Sequence, residues 1–332
     1  MSDALHTPVC DVLGCTYPVM LAGMGGVARS ELVAAVTKAG GFGFLGMVRE
    51  PPALIEAEVA RVREVTGRPF GVNIIPAATD SSLLDAEITT CLALSVSAMT
   101  LFWDVQPAVV RRLKDAGVIV VYQIGSLDDA KRAEDAGTDI LIAQGREAGG
   151  HVRGNEPRNR LVTDVVAAVS LPVLAAGGIV SGRDLAEALS LGAQGVVVGT
   201  AFMATHEAFA HDYHKQRLIE ARDGDTLLTT DFHINWPEGA MVRVLNNSVT
   251  RGLRGDPKSG SREAIGDEEG RTIYLFSTDS PLRSMTGDFE AMALYAGEGV
   301  GRLQSIVSAE ERMRSIVDEA TAILTAGSGP ER

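Results

Sequence analysis

The feature that most constrains this fold is an alternation of short apolar segments with segments of helical periodicity. Between Pro18 and Thr200 the chain contains eight apolar runs rich in Val, Ile, Leu or Phe, and a loop and a helical pattern follow each run. This alternation predicts parallel strands joined by crossover helices. The runs are continuously apolar, which is typical of strands buried on both faces. The predicted strands are 19–22, 41–45, 70–74, 98–102, 118–122, 140–143, 173–176 and 195–198.

The number of units predicts how the sheet is arranged. Eight strand-helix units close a (β/α)8 barrel, whereas a doubly wound open sheet normally ends near about five or six strands. We therefore predict an α/β fold of the TIM-type barrel class, with the open sheet as the alternative. Ser30 as a helix cap, and Gly40 and Gly137 as helix stops, give the turns that compact connections need.

The alternation ends near residue 222, and the sequence that follows is rich in Gly, Asp, Arg and Ser. This change predicts a smaller C-terminal insertion domain at 222–299 that contributes to the substrate site. Residues 1–221 and 300–332 are then expected to form the barrel. A final amphipathic pattern at 309–324 predicts a helix that packs back on the barrel.

Composition excludes several classes of partner. The chain has 332 residues, of which 45% are hydrophobic and 22% charged, as in an ordinary folded protein. Its formal net charge is −13 and no cluster of basic residues is evident, so nucleic acid and anionic membrane surfaces are not expected partners. A phosphate group can still bind, because backbone amides at a helix start supply local positive potential.

The cysteines and the N-terminal sequence predict a cytoplasmic location. Cys10, Cys15 and Cys91 are odd in number and lack metal-site spacing, which argues against both a disulfide framework and a metal centre. The first residues lack a basic region followed by an apolar core, and no apolar run approaches the ~20 residues that span a bilayer. Assembly into a homo-oligomer is left open.

Glycines follow the seventh and eighth predicted strands, where barrels often bind phosphate. Gly177 and Gly178 follow the seventh strand, and Gly199 and Thr200 follow the eighth. Glycine allows close approach to the backbone, and free N–H groups there point at an anion. Because the two loops are adjacent, we predict a phosphate site; tight turns without a ligand are the alternative.

His151 is the candidate catalytic residue. It ends a Gly-rich loop after the sixth predicted strand, and in such barrels the loops at this face carry catalysis. An imidazole titrates near neutral pH, so it can remove a carbon-bound proton. A structural role, in which the ring is hydrogen-bonded to a backbone carbonyl, is the alternative. His206, His211 and His214 are expected to lie on the surface of one helix and not to bind a metal.

Other strand ends carry side chains suited to a flat heteroaromatic ligand. Asn73, Gln123 and Gln144 bring neutral amides that donate and accept hydrogen bonds at a ring edge. Four large side chains either form an apolar wall for such a ligand or belong to the barrel core. They are Met24, Phe102, Trp103 and Tyr122.

Three segments together resemble the nitronate monooxygenases, once called 2-nitropropane dioxygenases. They are AQGREAGGH at 143–151, LPVLAAGGI at 171–179 and VVVGTAF at 196–202. PVMLAGMGG, AGGFGFLG, RPFGVNI and GDFEAMALYAGEGVG are also similar to that family, so the resemblance covers nearly the whole chain. The EAGGH loop is shared with flavin-dependent enoyl-thioester reductases of the same superfamily.

The resemblance implies bound flavin mononucleotide (FMN) and no metal. It places His151 at the position of the family's catalytic histidine. The implied FMN contacts lie beside the flavin ring, on the histidine loop and around the phosphate. In that order they are Ala22, Gly23, Met24, Asn73 and Gln123, then Gly149 and Gly150, then Ala176, Gly177, Gly178, Gly199 and Thr200.

The resemblance also implies a reaction, in which an alkyl nitronate, or a neutral nitroalkane, is oxidised with O2 to a carbonyl compound and nitrite. His151 would act as the base or, when protonated, hold the anion. Two alternatives remain open. One is an NAD(P)H-dependent flavin reductase of enoyl thioesters or quinones, and the other is a flavin- or phosphate-binding barrel without turnover.

Overall fold

Eight parallel strands form a closed barrel in a computed structural model, which describes residues 5–260 and 262–327. Residues 1–4 and 328–332 of the predicted barrel range lie outside the described residues. The barrel strands, in spatial order, are β1 (Val19–Leu21), β2 (Phe42–Gly46), β3 (Gly71–Ile74), β4 (Ala98–Phe102), β5 (Ile119–Ile124), β6 (Ile140–Gln144), β8 (Val173–Ala176) and β9 (Gly195–Val198).

The pairing of the first and last strands confirms the barrel and excludes the open sheet. Met20 of β1 is in register with Val197 of β9, and every other neighbouring pair of barrel strands is also parallel. Each predicted strand is present; three have the predicted bounds, and the ends of the other five are displaced by one or two residues. The C-terminal displacements matter most, because they place Gln123 and Gln144 on β5 and β6 themselves and not in the loops that follow.

Helices form the outer layer, with ends set by the turn residues that the sequence indicated. Ser126 caps its helix by accepting a hydrogen bond from the Asp129 N–H at 3.1 Å, and Gly40 has a left-handed φ of 99°. Ser30 is the first helical residue and Arg29 the cap, so the predicted cap was wrong by one position. The helices are α1 (Pro8–Leu13), α2 (Ser30–Lys38), α3 (Pro52–Val65), α4 (Ser81–Ala93), α5 (Pro107–Asp115), α6 (Leu127–Asp135), α7 (Arg158–Ala168), α8 (Gly182–Ser190), α9 (Thr200–Met203), α10 (Asp212–Glu220) and α11 (Ala309–Gly327).

The C-terminal helix α11 packs on α8 and α2 of the barrel, as its apolar stripe predicted. Met313 and Ile316 on this stripe are buried. Glu319 accepts a hydrogen bond from the Gly182 N–H at 2.7 Å. A Cβ atom at Gly182 would lie 2.3 Å from the backbone N of Ala320, so glycine permits this close contact.

The segment 222–299, together with one short strand from the loop after β6, forms two small antiparallel sheets beside the barrel mouth. One contains β7 (Gly150–Val152), β10 (Thr226–Thr229) and β11 (Met241–Leu245), and the other contains β12 (Ala264–Glu268), β13 (Arg271–Tyr274) and β14 (Met285–Gly287). The segment has its own buried cluster, which includes Phe232, Val242 and Phe276. Its division from the barrel as a separate domain stays a prediction.

The N-terminal end of the barrel is closed by α1, whose buried Val9 and Leu13 join the cluster inside the strands. Cys10, Cys15 and Cys91 are buried and free. Within the two described stretches, no helix combines the length and the apolar character that crossing a membrane requires.

Candidate active site

A cavity of about 780 Å³ lies at the C-terminal ends of the barrel strands. Its volume falls within the roughly 300–1,000 Å³ of small-molecule and cofactor sites. Every residue that the sequence analysis selected for cofactor binding or catalysis lines this cavity: Ala22, Gly23, Met24, Asn73, Gln123, Gly149, Gly150, His151, Ala176, Gly177, Gly178, Gly199 and Thr200. The barrel brings them together because parallel strands end at one face.

The loops after β8 and β9 give the cavity a surface of exposed backbone. Gly177 and Gly178 have left-handed φ values of 112° and 67°, which residues other than glycine rarely adopt. A Cβ atom on Gly199 would meet only the Met24 Sδ at 3.6 Å and the Ala22 Cβ at 3.7 Å. The space over Gly199 therefore belongs to the cavity, which leaves room for a ligand against the backbone.

A segment near the C-terminus, which the sequence analysis did not assign to the site, closes over these glycines. The Gly297 N–H donates to the Thr200 hydroxyl oxygen at 2.9 Å, and Arg302 donates to the Gly178 carbonyl at 2.7 Å. A Cβ atom on Gly149 would lie 2.5 Å from the Gly297 N. Gly297 belongs to the motif GDFEAMALYAGEGVG, whose similarity to the family was visible in the sequence. No physical rule, however, placed this motif at the cavity.

The three strand-end amides have different roles. Gln144 donates from Nε2 to the His151 carbonyl at 2.9 Å and accepts from the Arg153 N–H at 3.3 Å, so its amide holds β7. Gln144 also lines the cavity, and its contact with a ligand ring stays a prediction. Asn73 donates to the Thr100 carbonyl at 3.2 Å. Gln123 lines the cavity and makes no side-chain hydrogen bond with any described residue.

His151 lies on β7 and faces the cavity. The strand is fixed on one side by Gln144 and on the other by β11, where Val242 is opposite His151. The His151 Nε2 atom is buried and has no partner among the described residues. Burial, with a smaller contribution from the positive charge of Arg49, lowers the pKa of His151 to about 3. The imidazole is therefore neutral at pH 7 in the protein without ligand.

Charged groups surround the cavity mouth. The Arg49 guanidinium donates to the Asn235 carbonyl at 2.8 Å, and Arg49 has a left-handed φ of 61°. The loop that presents Arg49 is held by the buried Glu87 carboxylate, which accepts from the Glu50 N–H at 3.0 Å. Burial raises the pKa of Glu87 to about 7. No ion pair is found for Arg49 with any residue in the described ranges, so its charge remains available to a ligand.

The four large side chains named as wall or core divide between the two roles. Met24 and Phe102 line the cavity. Trp103 and Tyr122 do not line it; Tyr122 is fully buried and donates to the Asp104 carbonyl at 2.7 Å. Trp236, from the segment 222–299, supplies an aromatic surface that the sequence analysis missed, because its position depends on tertiary packing.

Two expectations about the other histidines were wrong: the three do not share one helix, and one of them is not on the surface. His214 is not on the surface; it is fully buried on α10 and contacts the Tyr295 carbonyl through Nε2 at 3.0 Å. Burial lowers the pKa of His214 to about 4. His206 and His211 precede α10 and border a second, shallower cleft.

The closed barrel, with a cavity at the C-terminal ends of its strands and a partly buried histidine in that cavity, defines the class as a TIM-barrel enzyme. The sequence pattern of the nitronate monooxygenase family matches residues 6–319. The chain therefore belongs to the nitronate monooxygenase family and is an oxidoreductase. This membership excludes the alternative of a flavin- or phosphate-binding barrel that has no catalytic activity.

Similar proteins carry more than one activity in their names. A hydroxy-methyl-oxo-octahydro-indene-carboxyl-CoA dehydrogenase of Mycobacterium tuberculosis is 30% identical, with 98% of each chain covered. The structure of FabK from Thermotoga maritima has a TM-score of 0.83 at 29% identity and covers 98% of this chain and 99% of its own. Nitroalkane oxidase from Streptomyces ansochromogenes has a TM-score of 0.77 at 27% identity, with 96% and 99% covered. Family and fold are therefore shared across several reactions.

Proposed function

We propose that this protein uses FMN to oxidise alkyl nitronates, and neutral nitroalkanes, with O2 to a carbonyl compound and nitrite. The observation that carries the proposal is a partly buried, neutral imidazole whose buried Nε2 atom has no partner, in the same cavity as an open glycine surface. Family membership and the similarity to a nitroalkane oxidase support it. The residues that line the cavity also support it.

The residues present fit FMN. A phosphate needs backbone approach and N–H donors, which the left-handed Gly177 and Gly178 and the open space over Gly199 allow. A flavin ring needs hydrogen-bonding edges and a flat apolar contact, for which Gln123 and Met24 are available. We infer that the glycines and Thr200 hold the phosphate. One such cradle suits a mononucleotide and not a pyrophosphate.

When bound, FMN supplies an electron acceptor that dioxygen can reoxidise. The proposed role of His151 is to accept a proton from the substrate. For a neutral nitroalkane, the imidazole accepts the proton from the carbon next to nitrogen. The C–H electron pair then forms the C=N bond, and the negative charge moves to the nitro oxygens. A ring with a pKa lowered to about 3 is a base at pH 7 and not a standing cation, and the adjacent anion stabilises the imidazolium once it forms.

A permanent positive charge is provided elsewhere. Arg49 is exposed at the cavity mouth and lowers the pKa of His151 through its charge, so its field reaches the imidazole. An anionic substrate is attracted by this guanidinium although the whole chain is acidic. Arg49 therefore attracts the nitronate, while His151 serves the neutral nitroalkane.

The second candidate is an NAD(P)H-dependent flavin reductase that acts on enoyl thioesters or quinones. The similarity to FabK and to a carboxyl-CoA dehydrogenase favours it. It uses the same cavity and the same cofactor but takes its electrons from a nicotinamide. The two reactions differ in whether a nicotinamide is consumed and whether nitrite is formed.

The test is to purify the protein, identify the flavin released on denaturation, and assay it in air with propane-2-nitronate. We expect a yellow protein that releases FMN and forms nitrite without any nicotinamide. A colourless protein that cannot be reconstituted with flavin contradicts the cofactor. A yellow protein that forms no nitrite and oxidises NADH or NADPH contradicts the reaction and supports the reductase.

A further inference from the structure

Two rings that pack closely against each other in the cavity each carry a buried nitrogen without a hydrogen-bond partner among the described residues. These atoms are Nε2 of His151 and Nε1 of Trp236, and neither finds a partner among the described residues. The ring centroids are 3.5 Å apart, with an angle of 34° between the planes. Indole N–H is a donor only, and a buried tryptophan usually has a partner for it. A buried donor without one requires an explanation.

The position of Trp236 is fixed by packing, so the unpaired donor does not result from a loose side chain. The ring is 8% exposed and belongs to a small apolar cluster with Ile75 and Phe102. Trp103 packs against it edge to face, with centroids 5.3 Å apart. The Trp236 backbone N–H donates to the His233 carbonyl at 3.1 Å. The indole ring is therefore held in the cavity lining, and its N–H has no partner among the described residues.

A permanent cation contacts the backbone of the same segment. Asn235, which has a left-handed φ of 71°, precedes Trp236 and accepts the hydrogen bond from Arg49 at 2.8 Å. One short segment thus brings together a neutral N–H donor and a guanidinium beside His151. Donors of this kind, around an imidazole that is neutral, favour a ligand with negatively charged oxygen atoms.

We propose that the Trp236 N–H donates a hydrogen bond to an oxygen of a planar oxyanion in the substrate. The identity of that group, the nitro group as it becomes a nitronate, rests on the proposed function. As His151 takes the proton from carbon, the electron pair enters the C=N bond and the charge moves to the two oxygens. The hydrogen bond strengthens as that charge develops, so Trp236 binds the substrate and also lowers the barrier to proton removal.

The test compares Trp236→Phe with Trp103→Phe in the flavin-loaded enzyme. Phenylalanine keeps an aromatic ring against His151 but removes the N–H. Trp103 is a matched control, because it is buried in the same cluster and does not line the cavity. The probes are propane-2-nitronate, as substrate, and isobutyrate, as an unreactive planar anion with two oxygens. Isobutyrate binding is followed through the flavin absorbance, so this readout does not depend on turnover.

We expect Trp236→Phe to weaken isobutyrate binding and raise the nitronate KM by about 10-fold or more, as for the loss of a hydrogen bond to a charged group. Flavin content and Tm should stay near wild type. Trp103→Phe should remain within about twofold of wild type on both probes. The chain has two tryptophans, so Trp236 is the only one left in this variant, and its fluorescence should change with isobutyrate.

Wild-type affinity for both probes in Trp236→Phe would overturn the inference. Loss of flavin from that variant would also overturn it, because the N–H would then serve the cofactor. A third contrary result is unchanged Trp236 fluorescence at saturating isobutyrate in the Trp103→Phe protein. This measurement leaves Trp236 itself unsubstituted. If the wild-type enzyme forms no nitrite but Trp236→Phe still weakens isobutyrate binding, the proposed function fails and the inference stands.

Discussion

At the scale of single residues, the lowered pKa of His151 favours one of the two roles that the sequence left open. An imidazole in water with a pKa near its usual ~6.5 is partly protonated at neutral pH and suits either role. Burial lowers the pKa of His151 to about 3, which leaves the ring neutral. In the proposed function the charge that attracts an anion is then on Arg49, which no sequence rule singled out because it lies in a loop between predicted elements.

A nitroalkane can be supplied neutral or already ionised, and this separates the roles of His151 experimentally. In His151→Asn, we expect turnover of neutral 2-nitropropane to fall by ~10²- to 10⁴-fold, because proton removal loses its base. Turnover of propane-2-nitronate should fall much less, since that substrate has no proton to lose. Flavin content should be unchanged, because backbone and not the imidazole approaches the cofactor.

The control for this experiment is His206→Asn, which changes a histidine outside the cavity and should keep wild-type rates on both substrates. Equal losses on the two substrates in His151→Asn, with the nitronate KM raised most, would mean that His151 acts as a cation. Wild-type rates on both would reduce His151 to a structural residue of β7.

At the scale of secondary-structure elements, the loops after β8 and β9 are expected to bind the cofactor phosphate. Gly199 has φ −106°, which any residue can adopt, and a Cβ atom there makes only ordinary contacts with protein. In Gly199→Val the side chain should therefore crowd the ligand and not the fold. We expect FMN affinity to fall at least about tenfold, with little change in apoprotein Tm. Gly178→Val should lose flavin as well, but its left-handed φ of 67° adds backbone strain.

Gly182→Ala is the control for this prediction, because the crowding it introduces lies at the contact of α8 with α11, away from the cavity. The added Cβ lies 2.3 Å from a backbone atom of α11, so this variant should lower Tm and leave FMN affinity unchanged. Equilibrium dialysis and thermal unfolding measure the two quantities separately. If Gly199→Val and Gly178→Val both keep stoichiometric flavin, the phosphate site lies elsewhere.

At the scale of the whole molecule, local patterns predicted the barrel well because each strand-helix unit carries its own signal. The apolar runs, the caps and the glycine stops are short-range features, and they placed all eight barrel strands. The strand β7 could not be found in this way. It pairs with β11 about 90 residues later, as His151 does with Val242, and a three-residue strand has no periodicity of its own.

The same distinction applies to the site. Glycines and amides at strand ends could be predicted from the rule that barrel sites form at that face, and all of those carried into the proposed site line the cavity. Trp236 and Arg49 could not, because they reach the cavity through loops whose paths depend on tertiary packing. The prediction for His214 was wrong for a related reason. Its charged sequence neighbours indicated a surface position, whereas tertiary packing buries it against the Tyr295 carbonyl.

The most direct test of the central claim is an anaerobic one. The purified yellow protein is mixed without oxygen, in separate samples, with propane-2-nitronate and with NADH or NADPH, while the visible flavin spectrum is recorded. We predict that the nitronate changes the flavin spectrum, that the nicotinamides do not, and that admitting air restores the spectrum and produces nitrite. A spectrum that a nicotinamide bleaches and the nitronate leaves unchanged would contradict the account and identify the protein as a reductase.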